Sequence, residues 1–149
     1  MPTARPHADA DRPRPPLDDF EIALGHRFRD RTLLMRALTH RSYSNERGLG
    51  DRSHYERLEF LGDAVLGLAT AHWLFTRFPE QAEGMLAKRK SVLVSAKTLA
   101  SEAKRLALGR YLRLGVGEAR SGGHAKASIL ADAMEAVLGA VYLDGGFAA

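Results

Sequence analysis

Apolar residues recur every three to four positions along most of the chain, which is the spacing of α-helices that bury one face. No stretch alternates apolar and polar residues for long enough to predict a strand. The spacing predicts helices over Leu17–Leu24, Asp30–Leu38, Tyr55–Phe78 and Lys126–Leu143, with one or two more between Gly84 and Leu108. The fold class predicted from the pattern is all-α.

Residues that end helices or favour turns set the boundaries of these elements. Gly25 and Pro79 end the first and the longest helix, and Asp30 is suited to cap the N-terminus of the second. The segments "NERGLGDRS" (residues 45–53) and "GVGEARSGGHAKAS" (residues 115–128) lack helical spacing and contain several glycines. We predict loops there.

Composition predicts a leader of 16 residues and one domain over residues 17–149. The leader holds five of the six prolines and few large apolar residues, so we expect it to be disordered. Cysteine is absent, which excludes disulfide scaffolds and thiolate metal sites. No uninterrupted apolar run approaches the ~18 residues of a membrane span, and the N-terminus lacks the apolar core of a signal peptide. We expect a soluble, unexported, cytoplasmic protein that does not bind membranes.

The net charge of +4 conceals a strongly basic segment. The segment from Gly84 to Ser128 contains ten Lys and Arg residues and only two acids. That segment therefore carries a charge of +8, and the remainder of the chain carries −4. Such a basic block beside acidic positions suits a polyanion held near divalent cations. A solvated helix surface rich in good helix formers is an equally good interpretation of the charge alone.

Three acids in the longest predicted helix share one face. Glu56, Glu59 and Asp63 are three, four and seven residues apart, and at about 100° per residue they lie opposite the apolar arc of Leu58, Leu61, Val65 and Leu68. Like charges at this spacing cost ~0.2–0.5 kcal/mol per pair. Either solvent and salt or a bound cation must compensate them.

The last predicted helix has the same arrangement. Asp132 and Glu135 share a face with Ala136 and Gly139, opposite Leu130, Met134, Val137 and Val141. Small residues let a second helix approach closely, and only then could acids of two helices reach one ion. Carboxylate oxygens are the ligands that Mg²⁺ prefers. Alternatively, all four acids are ordinary surface charges. A di-iron bundle would need Glu-x-x-His pairs, which are absent here.

Phe60 lies beside the acidic face and away from the apolar arc. A large aromatic side chain at such a position is expected to be covered by a partner. Another helix of the same chain and a second subunit are both possible covers.

Four segments resemble the ribonuclease III family, in the order in which that family has them. They are "LDDFEIALGHRF" (17–28), "ALTHRSYSNE" (37–46), "YERLEFLGDAVL" (55–66) and "LRLGVGEARSGGHAKASILADAMEAVLGAVYLDGG" (112–146). The resemblance runs from Leu17 to Phe147 and covers the family's endonuclease domain. Position 55 is Tyr where many members have Asn, a change that we do not expect to affect metal binding.

The resemblance implies a homodimeric, all-α endonuclease domain with specific site residues. It places the metal-binding carboxylates at Glu59, Asp63, Asp132 and Glu135, with Asp63 and Glu135 also catalytic. Glu56 matches an acid near the subunit interface and active centre, and Phe60 matches a phenylalanine that inserts into the partner subunit. For RNA contacts, the residues to test first are Arg120, His124 and Lys126.

The activity implied by the resemblance is Mg²⁺-dependent hydrolysis of double-stranded RNA, with Mn²⁺ as a substitute. The products would carry 5′-phosphate and 3′-hydroxyl ends with staggered cuts, and the role would be RNA processing and maturation. Members normally continue into a double-stranded-RNA-binding domain, so we expect this chain to be a fragment rather than a natural short form. The alternative is a non-catalytic RNA-binding dimer, which predicts loss of at least one of the four carboxylates. All four are present.

Overall fold

The computed structural model describes residues 13–149, and these form eight α-helices and two short 3₁₀ turns with no β-strand. The all-α prediction is confirmed. The α-helices are α1 (Leu17–Leu24), α2 (Arg31–Ala37), α3 (Arg41–Glu46), α4 (Glu56–Arg77), α5 (Glu83–Leu93), α6 (Ala96–Arg105), α7 (Val116–Arg120) and α8 (Ala127–Gly145).

Helix α8 is the centre of the core and packs against α2, α4 and α6. Its alanines at positions 131, 133, 136 and 140 are buried, as are the larger Leu130 and Val137. Apolar residues therefore occur on nearly every side of α8, because a central helix has neighbours all round it.

Helices α4 and α8 cross with their backbones in contact. A Cβ atom built on Gly62 would lie 1.7 Å from the carbonyl oxygen of Glu135, and one on Gly139 would lie 2.4 Å from that of Leu58. Any side chain at either glycine would force the two helices apart. The close approach that the small residues of α8 predict is confirmed, and Gly62 supplies its counterpart on α4.

The C-terminal end of α8 is fixed by Asp144. Its buried carboxylate accepts hydrogen bonds from the backbone N–H groups of Asp30 (2.9 Å) and Arg29 (3.1 Å), and it contacts the ring of His26 at 2.9 Å. These hydrogen bonds, that from Asp30 foremost, lower the pKa of Asp144. The helix therefore continues to Gly145, two residues past the predicted end at Leu143.

The predicted boundaries of three helices agree closely with the structure. Helix α1 spans Leu17–Leu24 with Gly25 in the left-handed region (φ 78°), and the Asp30 side chain caps α2 by accepting from Thr32 N–H. Helix α4 differs by one residue at each end from the predicted Tyr55–Phe78. The basic segment after it forms two helices, α5 and α6.

Two short helices lie in segments predicted differently, and both depend on tertiary contacts. Part of α3 lies in the predicted loop at residues 45–53, and α7 lies in the predicted loop at residues 115–128. The two helices are joined because the backbone N–H of Gly115 donates to Ser42 Oγ and that of Val116 donates to Glu46. Helices this short are not stable alone in water, so their spacing carries little signal.

Residues 1–12 of the predicted leader lie outside the described residues, so its disorder stays a prediction there. Arg14, just before α1, contacts the domain: its Nε donates to the carbonyl oxygen of Leu112 at 3.4 Å.

Helix α4 is long and apolar enough, by length and composition only, to cross a membrane. This differs from the expectation based on uninterrupted apolar runs, because Glu56, Glu59 and Asp63 interrupt the run without lowering the mean hydropathy sufficiently. Only 17% of its apolar window is buried, so much of the helix surface is open.

Candidate metal centre

Carboxylates from two helices meet where α4 crosses α8. One oxygen each of Glu59, Asp132 and Glu135 lies within 4.8 Å of the other two. The crossing brings them together because Gly62 and Gly139 hold the helix backbones in contact one turn away. All three side chains are half-buried.

Burial, and after it the charges of neighbouring acids, makes these carboxyl groups hold protons unusually strongly. Burial, followed by the charges of Asp132, Glu56 and Asp63, raises the pKa of Glu59 to about 7. Burial, followed by the charges of Asp63, Glu59 and Asp132, raises the pKa of Glu135 to about 7. Burial also raises the pKa of Asp132. At neutral pH the cluster is under electrostatic strain that a cation would relieve.

These raised pKa values predict a pH-dependent effect of Glu135→Gln on the stability of the metal-free protein. Between about pH 4.5 and 7 the folded state binds the Glu135 proton more tightly than the unfolded state, so this carboxylate destabilises the fold increasingly as pH rises. We expect the variant's melting temperature to be close to the wild type's at pH 5 and to exceed it most at pH 8. Differential scanning fluorimetry in EDTA measures this. A temperature difference that shrinks from pH 5 to pH 8 would contradict the electrostatic explanation.

Asp63 and Glu56 lie beside the three converging carboxylates rather than among them. Asp63 is exposed one turn beyond Glu59 on α4, yet of the neighbouring charges it is the one that most raises the pKa of Glu135. Glu56 pairs with Arg41 of α3 at 3.2 Å. The four-carboxylate ligand set therefore stays a prediction, with three members adjacent and Asp63 at the edge.

The acidic face of α4 does not lie wholly opposite the core, contrary to the prediction from helical spacing: Glu56 and Asp63 are exposed, but Glu59 is half-buried. On α4 the buried line is Leu58 and Gly62, so Glu59 flanks the contact with α8. Leu68, assigned to the buried arc, is 60% exposed. The prediction is wrong because a glycine contributes nothing to an apolar periodicity, although here it marks the closest contact.

The donor set fits Mg²⁺. It consists of carboxylate oxygens only, which are ligands for hard cations such as Mg²⁺ and Ca²⁺, whereas zinc and copper sites use imidazole or thiolate. Two half-buried carboxyl groups with pKa values near 7 are a further sign of fit, because a bound cation would stabilise their ionised forms.

His40 lies near the acids, a placement that the sequence did not reveal. Its ring accepts from Ser42 N–H and so caps α3, and Glu118, Glu56 and Asp132 are the acids whose charges act on it. Burial nevertheless lowers its pKa. A lone histidine without a partner at ligand spacing gave no signal in the sequence, because its neighbours come from α4, α7 and α8.

The three predicted RNA-contact residues have different surroundings. Arg120 is exposed at the end of α7, and the ammonium of Lys126 pairs with Glu118. The ring of His124 points inward: Nδ1 is 2.8 Å from the carbonyl oxygen of Gly109, and Nε2 is buried without a hydrogen-bond partner among residues 13–149. In this conformation neither ring nitrogen of His124 is available for a contact with RNA, whereas Arg120 is exposed.

Phe60 is 83% exposed and is not covered by another helix among the described residues. It begins a stripe of exposed apolar residues on α4 that continues through Leu68 (60% exposed) and Phe75 (72% exposed). A concavity of about 570 Å³ lies beside it, lined in part by Leu58, Leu61 and Leu143.

Comparison with known proteins agrees with this fold. A family model described as Ribonuclease-III-like matches residues 30–149. The chain is 55% identical over 132 residues to ribonuclease 3 of Oleidesulfovibrio alaskensis, covering 89% of this chain and 57% of that protein. It is 54% identical over 132 residues to ribonuclease 3 of Geobacter metallireducens, covering 86% of this chain and 52% of that protein. The chain thus spans about half the length of these relatives.

A solved structure gives the same result. The nuclease domain of ribonuclease III from Campylobacter jejuni superposes with a TM-score of 0.82 at 42% identity, covering 89% of each chain. That domain is described as having a flexible region involved in dimer formation. The match of family model, sequence and fold over most of the residues shows that this chain belongs to the ribonuclease III family.

Proposed function

We propose that the chain is the endonuclease domain of an enzyme that hydrolyses phosphodiester bonds in double-stranded RNA with Mg²⁺, for which Mn²⁺ can substitute. The observation that carries this proposal is the approach of Glu59, Asp132 and Glu135 to within 4.8 Å across the α4–α8 crossing. The relatives named ribonuclease 3 support the reaction class.

In this mechanism the residues of the chain hold the metal ion and fix the positions of its carboxylate ligands. Glu59, Asp132 and Glu135 would hold the ion, and Asp63, whose charge acts on Glu135, would join them. When bound, Mg²⁺ would supply Lewis-acid chemistry that activates water and offsets charge on the reacting phosphate. The glycine-mediated crossing fixes the spacing of the carboxylates, because neither helix can shift without breaking backbone contact. The expected products have 5′-phosphate and 3′-hydroxyl ends.

The test of function is incubation of the protein with a long, perfect RNA duplex, with and without Mg²⁺. We expect short duplex products with staggered ends only in the presence of the metal, and no cleavage of the same sequence as duplex DNA. Binding of the duplex without cleavage at any Mg²⁺ or Mn²⁺ concentration would favour the non-catalytic RNA-binding dimer instead.

We further propose that the domain works as a homodimer, each subunit cutting one strand. The exposed stripe of Phe60, Leu68 and Phe75 on α4 supports this, because isolated soluble domains rarely leave contiguous large apolar side chains in water. The concavity beside Phe60 offers a place for the same residue of a second copy, as a two-fold interface requires. The dimer-forming region described for the Campylobacter jejuni domain agrees with this proposal.

Phe60→Ala should weaken dimerisation, because an anchoring aromatic at an interface contributes about 2 kcal/mol or more. We expect the dimer dissociation constant to rise at least about 30-fold, as measured by sedimentation equilibrium. Ile22→Ala is the matched control, since Ile22 is 79% exposed on α1 and lies outside the stripe. A wild-type protein that is monomeric at micromolar concentration would refute the dimer.

A further inference from the structure

Two arginines lie over the ring of Tyr43 on α3, and a third lies near one of them. The guanidinium of Arg47 lies 3.8 Å from the centre of the Tyr43 ring, and that of Arg14 lies 5.9 Å from it. Arg113 is close enough to Arg14 for its charge to act on it. We call Arg14, Arg47 and Arg113 the arginine cluster. Its members come from three separate segments, so only the fold brings them together.

The arginine cluster has no acidic counterpart. Among residues 13–149 no carboxylate lies within 4.0 Å of any of its guanidinium groups. The adjacent acid on α3, Glu46, accepts from Val116 N–H instead. Burial, followed by the charges of Arg113 and Arg47, lowers the pKa of Arg14, because both neighbouring charges disfavour its positive charge.

Packing alone does not explain three arginines at this place. A single guanidinium is enough for a cation–π contact with the Tyr43 ring, and Arg47 at 3.8 Å already makes that contact. The Arg14 Nε also donates to the carbonyl oxygen of Leu112. This hydrogen bond holds the Arg14 side chain near the other two arginines, although all three carry positive charge. Mutual repulsion of this kind is relieved when an anion binds, and three fork-shaped donor groups fit phosphate oxygens well.

The arginine cluster is linked to the metal centre by a short connection. Thr39 forms an isolated β-bridge with Arg113, and the backbone N–H of His40 donates to the carbonyl oxygen of Arg113 at 2.9 Å. The charge of Asp132 acts on the His40 ring, and Arg41 forms an ion pair with Glu56. Residues 39–41 therefore contact the Arg113 backbone on one side and Glu56, beside the metal centre, on the other.

We propose that the arginine cluster binds a backbone phosphate of the same RNA duplex that is cut at the metal centre. This inference rests on the proposed function and names a contact surface that neither Arg120 nor the basic segment of residues 84–128 supplies by itself. Phosphate contacts outside the reacting bond fix the register and orientation of a duplex whose bases cannot be read in the deep groove. Arg14, Arg47 and Arg113 thereby act as positioning residues.

The first test compares RNA binding by the double variant Arg14→Ala/Arg47→Ala with that of the wild type in EDTA, where cleavage does not interfere. Each phosphate contact contributes about 0.9 to the slope of log affinity against log salt. We expect the affinity of the double variant for RNA to be about tenfold lower at 100 mM salt. We also expect the slope of its log affinity against log salt to be shallower by about 1 to 2. Arg27→Ala removes one positive charge, half of the change in the double variant, from an exposed arginine after α1 and should leave the slope unchanged.

Replacement of Arg47 by Lys separates a phosphate contact from a packing role. Lysine keeps the charge but lacks the planar group that stacks on Tyr43, so we expect Arg47→Lys to retain most of the salt slope that Arg47→Ala loses. Equal loss in both variants, together with equal loss of melting temperature, would assign the cluster to packing and overturn the proposal.

A second test does not depend on RNA cleavage. In the wild-type protein, titration with inorganic phosphate should shift the Nε–Hε resonances of Arg14 and Arg47 more than that of Arg27. Unchanged affinity and slope in the double variant, or equal shifts for all three arginines, would overturn the proposal. Failure of the wild type to cut RNA while it binds RNA through these arginines would refute the proposed enzyme activity and leave the phosphate site intact.

Discussion

Glu135→Gln is expected to reduce the rate of RNA cleavage by about three orders of magnitude, which corresponds to roughly 4 kcal/mol of transition-state stabilisation. Glutamine keeps the length of the side chain and one acceptor oxygen, but it removes a charge from the three-carboxylate cluster. The buried apolar residues of α8 are untouched, so folding and most duplex binding should persist. Single-turnover cleavage at saturating Mg²⁺ measures the effect.

The matched control is Glu102→Gln, which removes a helix glutamate that pairs with Arg105 on α6, away from the crossing. It should cleave RNA at the wild-type rate. Near-normal cleavage by Glu135→Gln would refute the ligand role of Glu135 and weaken the case for the whole carboxylate site. Full activity regained only at much higher Mg²⁺ would instead show that Glu135 contributes chiefly to metal affinity.

Gly62→Ala is expected to destabilise the domain by about 3 kcal/mol or more, the upper range for overpacking a core. The added methyl group would lie 1.7 Å from the carbonyl oxygen of Glu135, where ordinary carbon–oxygen contacts are about 3.3 Å or longer. Helices α4 and α8 must therefore separate along the line that holds the carboxylates together. We expect a fall of about 10 °C in melting temperature. Displacement of about 1 Å at a reacting centre can also cost about 100-fold in rate.

Gly67→Ala provides the control on the same helix. Its Cβ would meet only the flexible end of Lys90, at 3.7 Å from Nζ. Alanine favours helix over glycine by about 1 kcal/mol, so this variant should be as stable as the wild type or more so. A Gly62→Ala protein that melts like Gly67→Ala would contradict backbone contact at the crossing.

Much of the local structure could be predicted from residue order because its causes are local. Gly25 can adopt a left-handed φ, the Asp30 side chain reaches the N–H of Thr32, and Pro79 prevents α4 from continuing. The motifs around Glu59 and Glu135 indicated the family without a structure, since they are long runs of specific residues. The positions of the acids on two helices likewise suggested a shared cation site.

The sequence by itself therefore determined the all-α class, the ends of α1, α2 and α4, and the family. Only the tertiary structure decided which face of α4 is buried, because the contact line includes Gly62, whose missing side chain leaves no mark in an apolar pattern. It also decided that α3 and α7 form, that the His124 ring points inward, and that Arg14 and Arg47 meet at Tyr43. Each of these depends on residues distant in the chain, and helical periodicity records only the residues of one element.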